Sequence, residues 1–326
     1  MKEKTRERIN VDKNTITLFG LMIAVIIIYQ LLNKYYLSPD NIMVLLNSTS
    51  VCGTLAIGLT FLLISGQIDL SPASVGCVCG ILITLMLGDG VTGISWPLAL
   101  LLTIALGALS GLLVSFLVHV LNISAFIVTI AMSSIYQGLS RQFSSNMTLP
   151  VRNQGYWRLG ASVGVVPMPF LIMVVLFVIY GVILARTKFG RKVYICGGNP
   201  NAARLAGINP KKIQTILFIN NGALAALAGA LLTARMRSAG FGSVLGNEID
   251  AITAIVLGGV AFTGGKGHMT GSFVGLMLLG CVKNGLIGLG VPSYGQIIMQ
   301  GAILIIALAV NFIREKSFAK KLKARI

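Results

Sequence analysis

Long runs of apolar residues, separated by short polar stretches, occupy most of the chain between residues 16 and 312. A bilayer core about 30 Å thick needs about 20 apolar residues in helical form, so each run predicts one crossing. The pattern therefore predicts an all-α integral membrane protein. Its ten predicted spans are 16–33, 42–65, 72–88, 96–119, 123–140, 168–186, 213–236, 247–263, 270–289 and 293–312.

Two of these runs, 72–88 and 247–263, are short and contain Gly, Pro or carboxylates, which indicates broken or partly re-entrant helices packed within protein. The stretches "IDLSPASVG" (68–76) and "IDAITAIVLGG" (249–259) open these two segments. With ten crossings they begin on opposite sides of the membrane. We therefore predict two five-helix halves of opposite orientation, an arrangement common in transport proteins.

Pairs of glycines four residues apart occur on three predicted helices. This spacing lets helix backbones approach closely inside a membrane, where lipid supplies no hydrophobic drive for association. The pairs predict tight packing and do not indicate what crosses the bundle. They are Gly76/Gly80, Gly107/Gly111 and Gly271/Gly275.

Composition and charge agree with a membrane chain, because 55% of residues are hydrophobic, 11% are charged and the mean hydropathy is +0.87. The net charge of +17 comes mainly from three basic clusters between or beside apolar runs, which argues against nucleic acid as a partner. The positive-inside rule places these clusters in the cytoplasm. We predict a cytoplasmic basic segment (1–15), a permease domain (16–312) with a cytoplasmic loop (187–212), and a cytoplasmic basic tail (313–326).

The cytoplasmic loop contains "GGNPNAARLAGI" (197–208), a pattern that predicts a short helix with defined ends. Asn199 suits the N-cap, Pro200 the first helical position, and Gly207 a left-handed stop. Such a helix can serve as a rigid docking element for another protein, although a plain amphipathic connector is the alternative. The predicted docking residues are Asn199, Pro200, Ala202, Ala203, Arg204 and Gly207.

The stretch "EIDAITAIVLGGVAFTGGKG" (248–267) does not match a P-loop, because Val260 replaces the first glycine and Gly267 follows the lysine. A carboxylate in mid-bilayer costs roughly 2.5–3.5 kcal/mol, so its acids and Asp69 are expected at interfaces or facing a protein-lined cavity. A proton or ion relay is the disfavoured alternative. The predicted structural or gating residues are Asp69, Glu248, Asp250, Gly258, Gly259, Gly264 and Gly265.

Several amide side chains lie on apolar helices. Amides donate and accept hydrogen bonds without charge, which suits a passage for a neutral polyhydroxylated solute. Interhelical hydrogen bonds would use the same groups, and this alternative stays open for each residue. The predicted pathway residues are Asn47, Gln137, Asn220 and Asn221.

Catalysis is not expected, since the chain has only two histidines and nine acids and offers no nucleophile, His/acid pair or metal cluster. Lys283 and His119 are interpreted as snorkelling or hydrogen-bonded groups. We predict no catalytic residues, no metal site and no bound cofactor. Because no Walker motif is present, any ATP hydrolysis must come from another chain.

Four motifs in order resemble the permease subunits of bacterial ABC importers for ribose and related monosaccharides. They are "SGQIDLSPASV" (65–75), "GGNPNAARLAGI" (197–208), "EIDAITAIVLGGVAFTGGKG" (248–267) and "NGLIGLGVPSYGQ" (284–296), and the similarity covers roughly residues 40–312. Pro72-Ala73 departs from the Val-Gly that commonly follows "IDLS" in this family.

The resemblance implies a bacterial inner-membrane importer with a pair of permease subunits, two cytoplasmic ATPase subunits that bind ATP-Mg, and an extracytoplasmic solute-binding protein. An identical second permease subunit is favoured over a different one. The helix at Asn199–Gly207 would be the coupling helix that contacts the ATPase. The expected cargo is a pentose, hexose or polyol; alternatives are a furanose-like signalling molecule or, in another class, ion-coupled secondary transport.

Overall fold

The computed structural model describes residues 13–88 and 94–323, so most of the predicted segment 1–15 lies outside the described residues. The described helices are α1 (Lys13–Leu32), α2 (Pro39–Ile64), α3 (Pro72–Met86), α4 (Trp96–His119), α5 (Ala125–Ser144), α6 (Gln154–Trp157), α7 (Met168–Arg186), α8 (Lys188–Gly198), α9 (Pro200–Leu205), α10 (Pro210–Met236), α11 (Asn247–Leu257), α12 (Met269–Gly288) and α13 (Ser293–Lys323). Four two-residue strands are β1 (Leu149–Pro150), β2 (Ser162–Val163), β3 (Val166–Pro167) and β4 (Ser238–Ala239), and a 3-10 turn spans Arg158–Gly160.

The all-helical membrane character is confirmed, and each of the ten predicted segments contains a helix. By length and composition, six of the described helices can cross a membrane: α1, α2, α4, α7, α10 and α12. Helix α3 and the apolar part of α13, Ser293–Ala309, are shorter. The number of ten crossings therefore remains a prediction.

The predicted span 247–263 contains a much shorter helix than expected. Helix α11 ends at Leu257, after 11 residues, and irregular backbone with several glycines in the left-handed region follows it up to α12. Val260 is completely buried and most side chains of α11 are buried, so the first part of this irregular backbone is packed inside protein, whereas Phe262, Thr263, Lys266 and His268 are exposed. Irregular backbone is tolerated at membrane depth where it is buried in protein or lines a water-filled cavity.

Helix α10 is the centre of the bundle and packs against α4, α2 and α3. The backbones of α10 and α4 lie very close together. A methyl group added at Gly107 would overlap the carbonyl oxygen of Gly222, and one added at Gly111 would overlap the carbonyl oxygen of Phe218. Gly275 packs in the same way on Ala254 of α11, and Gly271 packs on Gly258 directly after it. The predicted tight packing at these glycines is confirmed.

One end of the bundle, which we call the strand end, is tied together by short strands. Strand β1 pairs antiparallel with β4, with Leu149 opposite Ala239, and β2 pairs with β3. The buried Tyr156 hydroxyl bonds the Ala230 carbonyl of α10 at 2.6 Å. The opposite end, which we call the α9 end, contains α8, α9 and the start of α10.

The outer helices expose large apolar side chains, as expected of surfaces that face lipid. Only 6% of the apolar window of α1 and 22% of that of α7 is buried, against 67% for α10. Such an extent of exposed apolar surface exceeds what monomeric soluble proteins show. The chain is a multi-pass membrane protein.

Candidate functional site

Helix α9 has a defined cap at each end. The Asn199 side chain accepts hydrogen bonds from the backbone N–H groups of Asn201 and Ala202, both at 3.0 Å, and Pro200 occupies the first turn. At the other end, Ile208 N–H bonds the Ala203 carbonyl and Gly207, at φ +73°, bonds the Arg204 carbonyl. These two bonds form a Schellman motif, so the end of this six-residue helix is defined by backbone hydrogen bonds.

One face of α9 is buried against the rest of the protein, and the other face is exposed. Ala203 is completely buried and packs into the hydrophobic core, whereas Ala202, Arg204 and Gly207 are exposed. Leu205, which the sequence did not single out, is 92% exposed. A leucine so exposed on a helix with a cap at each end offers an apolar contact to another protein.

Helix α8 carries α9 and was not expected, because the sequence predicted only a polar loop there. Thr187 caps its start by accepting from Gly190 N–H at 3.1 Å. Val193 and Cys196 are completely buried, while the basic Arg191 and Lys192 are exposed. Burial raises the pKa of the Cys196 thiol, an effect that nearby Lys192 partly offsets.

Asp69 lies in the non-helical segment between α2 and α3, and it is 97% buried. Its Oδ1 accepts from the backbone N–H and the hydroxyl of Ser71, at 2.8 and 2.6 Å, and its Oδ2 accepts from Asn221 Nδ2 at 2.8 Å. Three donors therefore satisfy the carboxylate. Pro72 stands at the first position of α3, where a missing N–H costs nothing.

Three of the four predicted pathway amides bind different partners, and no hydrogen bond between described residues joins two of the four. Asn221 bonds Asp69, Asn220 accepts from the Tyr180 hydroxyl, and Gln137 donates to Ser133 at 3.2 Å. Asn47 Oδ1 is buried and has no hydrogen-bond partner among the described residues. Asn220 therefore forms an interhelical bond with α7, and Asn221 bonds the non-helical segment between α2 and α3.

Glu248 and Asp250 both lie in the first turn of α11. Asp250 is buried, and its Oδ2 forms an ion pair with Lys283 Nζ of α12 at 2.5 Å. Lys283 is therefore a paired group, in agreement with its interpretation as satisfied. Glu248 Oε2 and Asp250 Oδ1 are buried and accept no hydrogen bond from the part of the chain that the structure describes.

The predicted glycine motif shapes the segment that follows α11. Gly258 is packed against Gly271, where an added methyl group would overlap backbone. Gly259, Gly264 and Gly265 have φ values of +91°, +85° and +74°, which only glycine adopts without strain. The Gly265 N–H donates to the Ile64 carbonyl of α2 at 2.8 Å, so this segment reaches the α9 end.

Helix α5 exposes a stripe of small and polar residues along one face, and two of them, Ser134 and Arg141, do not suit lipid. Ala131, Ser134, Gly138 and Arg141 are all exposed and recur every three or four residues along one face. Exposed polar groups at membrane depth normally face protein or a water-filled cavity. The sequence of α5 is less apolar than those of α4 and α7, but only the observed exposure shows which of its residues form a surface.

Comparison with known proteins places the chain in a family. A family model described as the permease component of the branched-chain amino acid transport system matches residues 41–308. The chain belongs to this permease family. The ribose import permease protein of Bacillus subtilis strain 168 is 36% identical over 301 residues, covering 91% of this chain and 92% of that protein.

Two further relatives agree. The ribose import permease protein of Escherichia coli K12 is 34% identical, covering 89% of this chain and 91% of that protein. The xylose transport system permease protein of Haemophilus influenzae Rd is 32% identical, covering 86% and 91%. The resemblance to monosaccharide ABC permeases that the four motifs indicated is confirmed.

Proposed function

We propose that this chain is the membrane-spanning permease subunit of an ATP-driven ABC importer that moves a monosaccharide into the cytoplasm. The observation that carries the proposal is its similarity, over about nine tenths of its length, to ribose import permeases. A xylose permease among the relatives adds a second pentose to the cargo class, with hexoses and polyols of similar hydroxyl pattern as further candidates.

For the topology, we propose ten membrane segments in two inverted five-helix halves, with both termini and the loop 187–212 in the cytoplasm. The contacts at the two bundle ends support this order. At the α9 end, Lys211 Nζ donates to the His119 carbonyl at 2.7 Å, and Gln214 donates to the Ser65 carbonyl at 3.1 Å. At the strand end, Asn33 donates to the Gly288 carbonyl. Residues 65, 119 and 211–214 thus lie at the α9 end, and residues 33 and 288 lie at the strand end. Successive predicted spans require this alternation of ends.

Helix α9 is the proposed contact with a cytoplasmic ATPase subunit. Its caps define both ends, Ala203 anchors it in the core, and Leu205 and Arg204 are accessible. An exposed leucine beside an arginine suits a partner groove with an apolar floor and an acidic rim. Two ATPase subunits would bind ATP-Mg, and this chain would bind no cofactor of its own.

The exposed stripe of small and polar residues on α5 supports a second permease subunit, for which an identical copy is favoured. A pair of such stripes facing each other would remove polar groups from lipid and enclose a polar passage between the subunits. Gln137, bonded to Ser133 of the same helix, lies beside this stripe. In this arrangement the cargo passes between two subunits and not through one bundle.

The strand end is the proposed docking surface for a solute-binding protein. Its segments 145–167 and 237–246 contain no Asp or Glu, and Arg152, Arg158 and Arg237 are exposed on them. Arg237 lies over the Trp157 ring at 4.6 Å, which fixes one guanidinium at the surface. This charge pattern suits an acidic rim on the binding protein.

Reconstitution tests the proposal directly. The chain is placed in liposomes with its copurifying ATPase and binding protein, and uptake of ribose, xylose, hexoses and a furanose-like signalling compound is compared. ATP-dependent uptake of at least one monosaccharide is expected. Uptake driven by a proton or sodium gradient in liposomes with this chain alone would instead establish a secondary transporter.

Variants of α9 test the ATPase contact. Arg204→Glu, Leu205→Glu and Gly207→Pro should leave the chain inserted but reduce ATPase binding and separate ATP hydrolysis from transport. Proline cannot adopt φ +73°, whereas Gly207→Asn tolerates that conformation and serves as the matched control. Normal coupling in all three variants would refute the assignment of α9.

A further inference from the structure

Helix α8 joins α9 to the interior through backbone contacts that use glycine. A methyl group added at Gly197 would overlap the Ile64 carbonyl oxygen at the end of α2 and lie 2.8 Å from the Gly265 nitrogen. The same carbonyl accepts the Gly265 N–H bond. Gly66, with φ +79°, and Gly264 complete the contact, since a methyl group at Gly264 would lie 3.0 Å from Gly66 and from the Gly197 oxygen.

We call this contact of Gly66, Gly197, Gly264 and Gly265 the glycine junction. Close packing of backbone on backbone leaves little room for one segment to move without the others, because packed interiors do not deform continuously. A side-chain bond reinforces it. The Tyr194 hydroxyl of α8 donates to the Gly267 carbonyl at 2.6 Å, and burial raises the pKa of this phenol to about 12, so the donor proton stays in place at neutral pH.

The glycine junction connects α9 to two non-helical segments, 65–71 between α2 and α3 and 258–268 between α11 and α12. Gly66 opens the extended segment that holds Asp69, which is bonded to Asn221 in the middle of α10. Gly264 and Gly265 belong to the irregular segment between α11 and α12, which is packed against α12 through Gly258 and Gly271. The only residue between α8 and α9 is the capping Asn199, so a force on α9 acts directly on α8.

We infer that Tyr194 and Gly197 are positioning residues that transmit the motion of α9 to the two non-helical segments, 65–71 and 258–268. This inference rests on the proposed function, since it assigns a route for the movement that ATPase subunits would impose on α9. A substitution at either residue should weaken the coupling of hydrolysis to transport and leave the ATPase contact itself intact.

The test compares adjacent glycines of the same helix in the reconstituted importer. Gly197→Ala introduces the backbone overlap, whereas a methyl group at Gly198 would have its nearest neighbour at 3.9 Å, so Gly198→Ala is the matched control. The measured quantity is solute transported per ATP hydrolysed. Gly197→Ala should lower this ratio roughly tenfold, within the range of ordinary coupling energies, while Gly198→Ala keeps the wild-type ratio.

Tyr194→Phe supplies a second variant that keeps the ring and removes one hydrogen bond, and it decides the matter if Gly197→Ala does not fold. Copurification of the ATPase should be unchanged in both variants, in contrast to Leu205→Glu. An unchanged transport ratio in Tyr194→Phe, or in a folded Gly197→Ala, would overturn the inference. If the wild-type complex shows no ATP-dependent uptake, the proposed function itself fails, a result distinct from either outcome.

Discussion

Asn221 Nδ2 donates to Asp69 Oδ2 at 2.8 Å, and this bond joins the middle of α10 to the extended segment that precedes α3. Both residues are almost fully buried. The acid Asp69 and the amide Asn221 are 152 residues apart in the chain, and they form a polar contact inside an apolar bundle. Together with the two donors of Ser71, this bond satisfies the buried carboxylate by hydrogen bonds alone among the described residues.

The first prediction concerns this carboxylate. Asp69→Ala leaves Asn221 Nδ2 and the Ser71 donors without their acceptor, at a cost of roughly 1–3 kcal/mol for each buried donor. Asp69→Asn keeps an acceptor for Ser71, and a rotated Asn221 amide can pair with it. Thermal unfolding in detergent should therefore show a large loss for Asp69→Ala and a smaller one for Asp69→Asn. Equal losses would contradict the hydrogen-bonding account.

The ion pair between Asp250 and Lys283 supports a second prediction. Lys283→Met leaves a buried carboxylate unpaired, and the expected loss is about 1–3 kcal/mol, below the range for a fully buried pair because Lys283 is 32% exposed. The double variant Asp250→Leu/Lys283→Met removes both charges and should recover most of the loss. A double variant less stable than Lys283→Met alone would count against the ion pair as the cause.

A third prediction tests the close contact of α4 with α10. Gly111→Ala forces a methyl group into the Phe218 carbonyl and should lower the free energy of unfolding by about 1–3 kcal/mol, as overpacking does. Gly20→Ala in α1 meets nothing within 4 Å and is the control. Unfolding temperatures of the two variants in the same detergent compare them. A wild-type value for Gly111→Ala would show that the helices separate easily.

Cysteine labelling gives a fourth prediction. All five cysteines are buried, and burial raises the pKa of Cys196, so little thiolate is available at pH 7 and labelling should increase only in the alkaline range. The wild-type chain should react with a maleimide near background at neutral pH. In cells that lack the ATPase subunit, Leu205→Cys should react rapidly, and only when the reagent reaches the cytoplasmic side. Rapid labelling of Leu205→Cys from outside intact cells would reverse the proposed topology.

Much of the fold was predictable from local patterns. The predicted span 168–186 coincides with α7, and the predicted span 96–119 with α4, because long apolar runs have few alternatives in a membrane. The ends of α9 were also predictable, since Asn199, Pro200 and Gly207 act through their own backbone geometry. Helix α8 was missed although Thr187 is an N-cap residue, because its short run of residues contains several basic side chains and was interpreted as a polar loop.

The sequence by itself determined the helical membrane architecture, the position and caps of α9 and the glycine pairs that permit close packing, because each depends on residues near one another in the chain. The tertiary structure alone decided which acid meets which partner, that Leu205 is accessible, and that the segment after α11 ends beside Gly197. Those facts depend on the rotation and depth of helices packed against one another, and residue order along a single helix does not specify them.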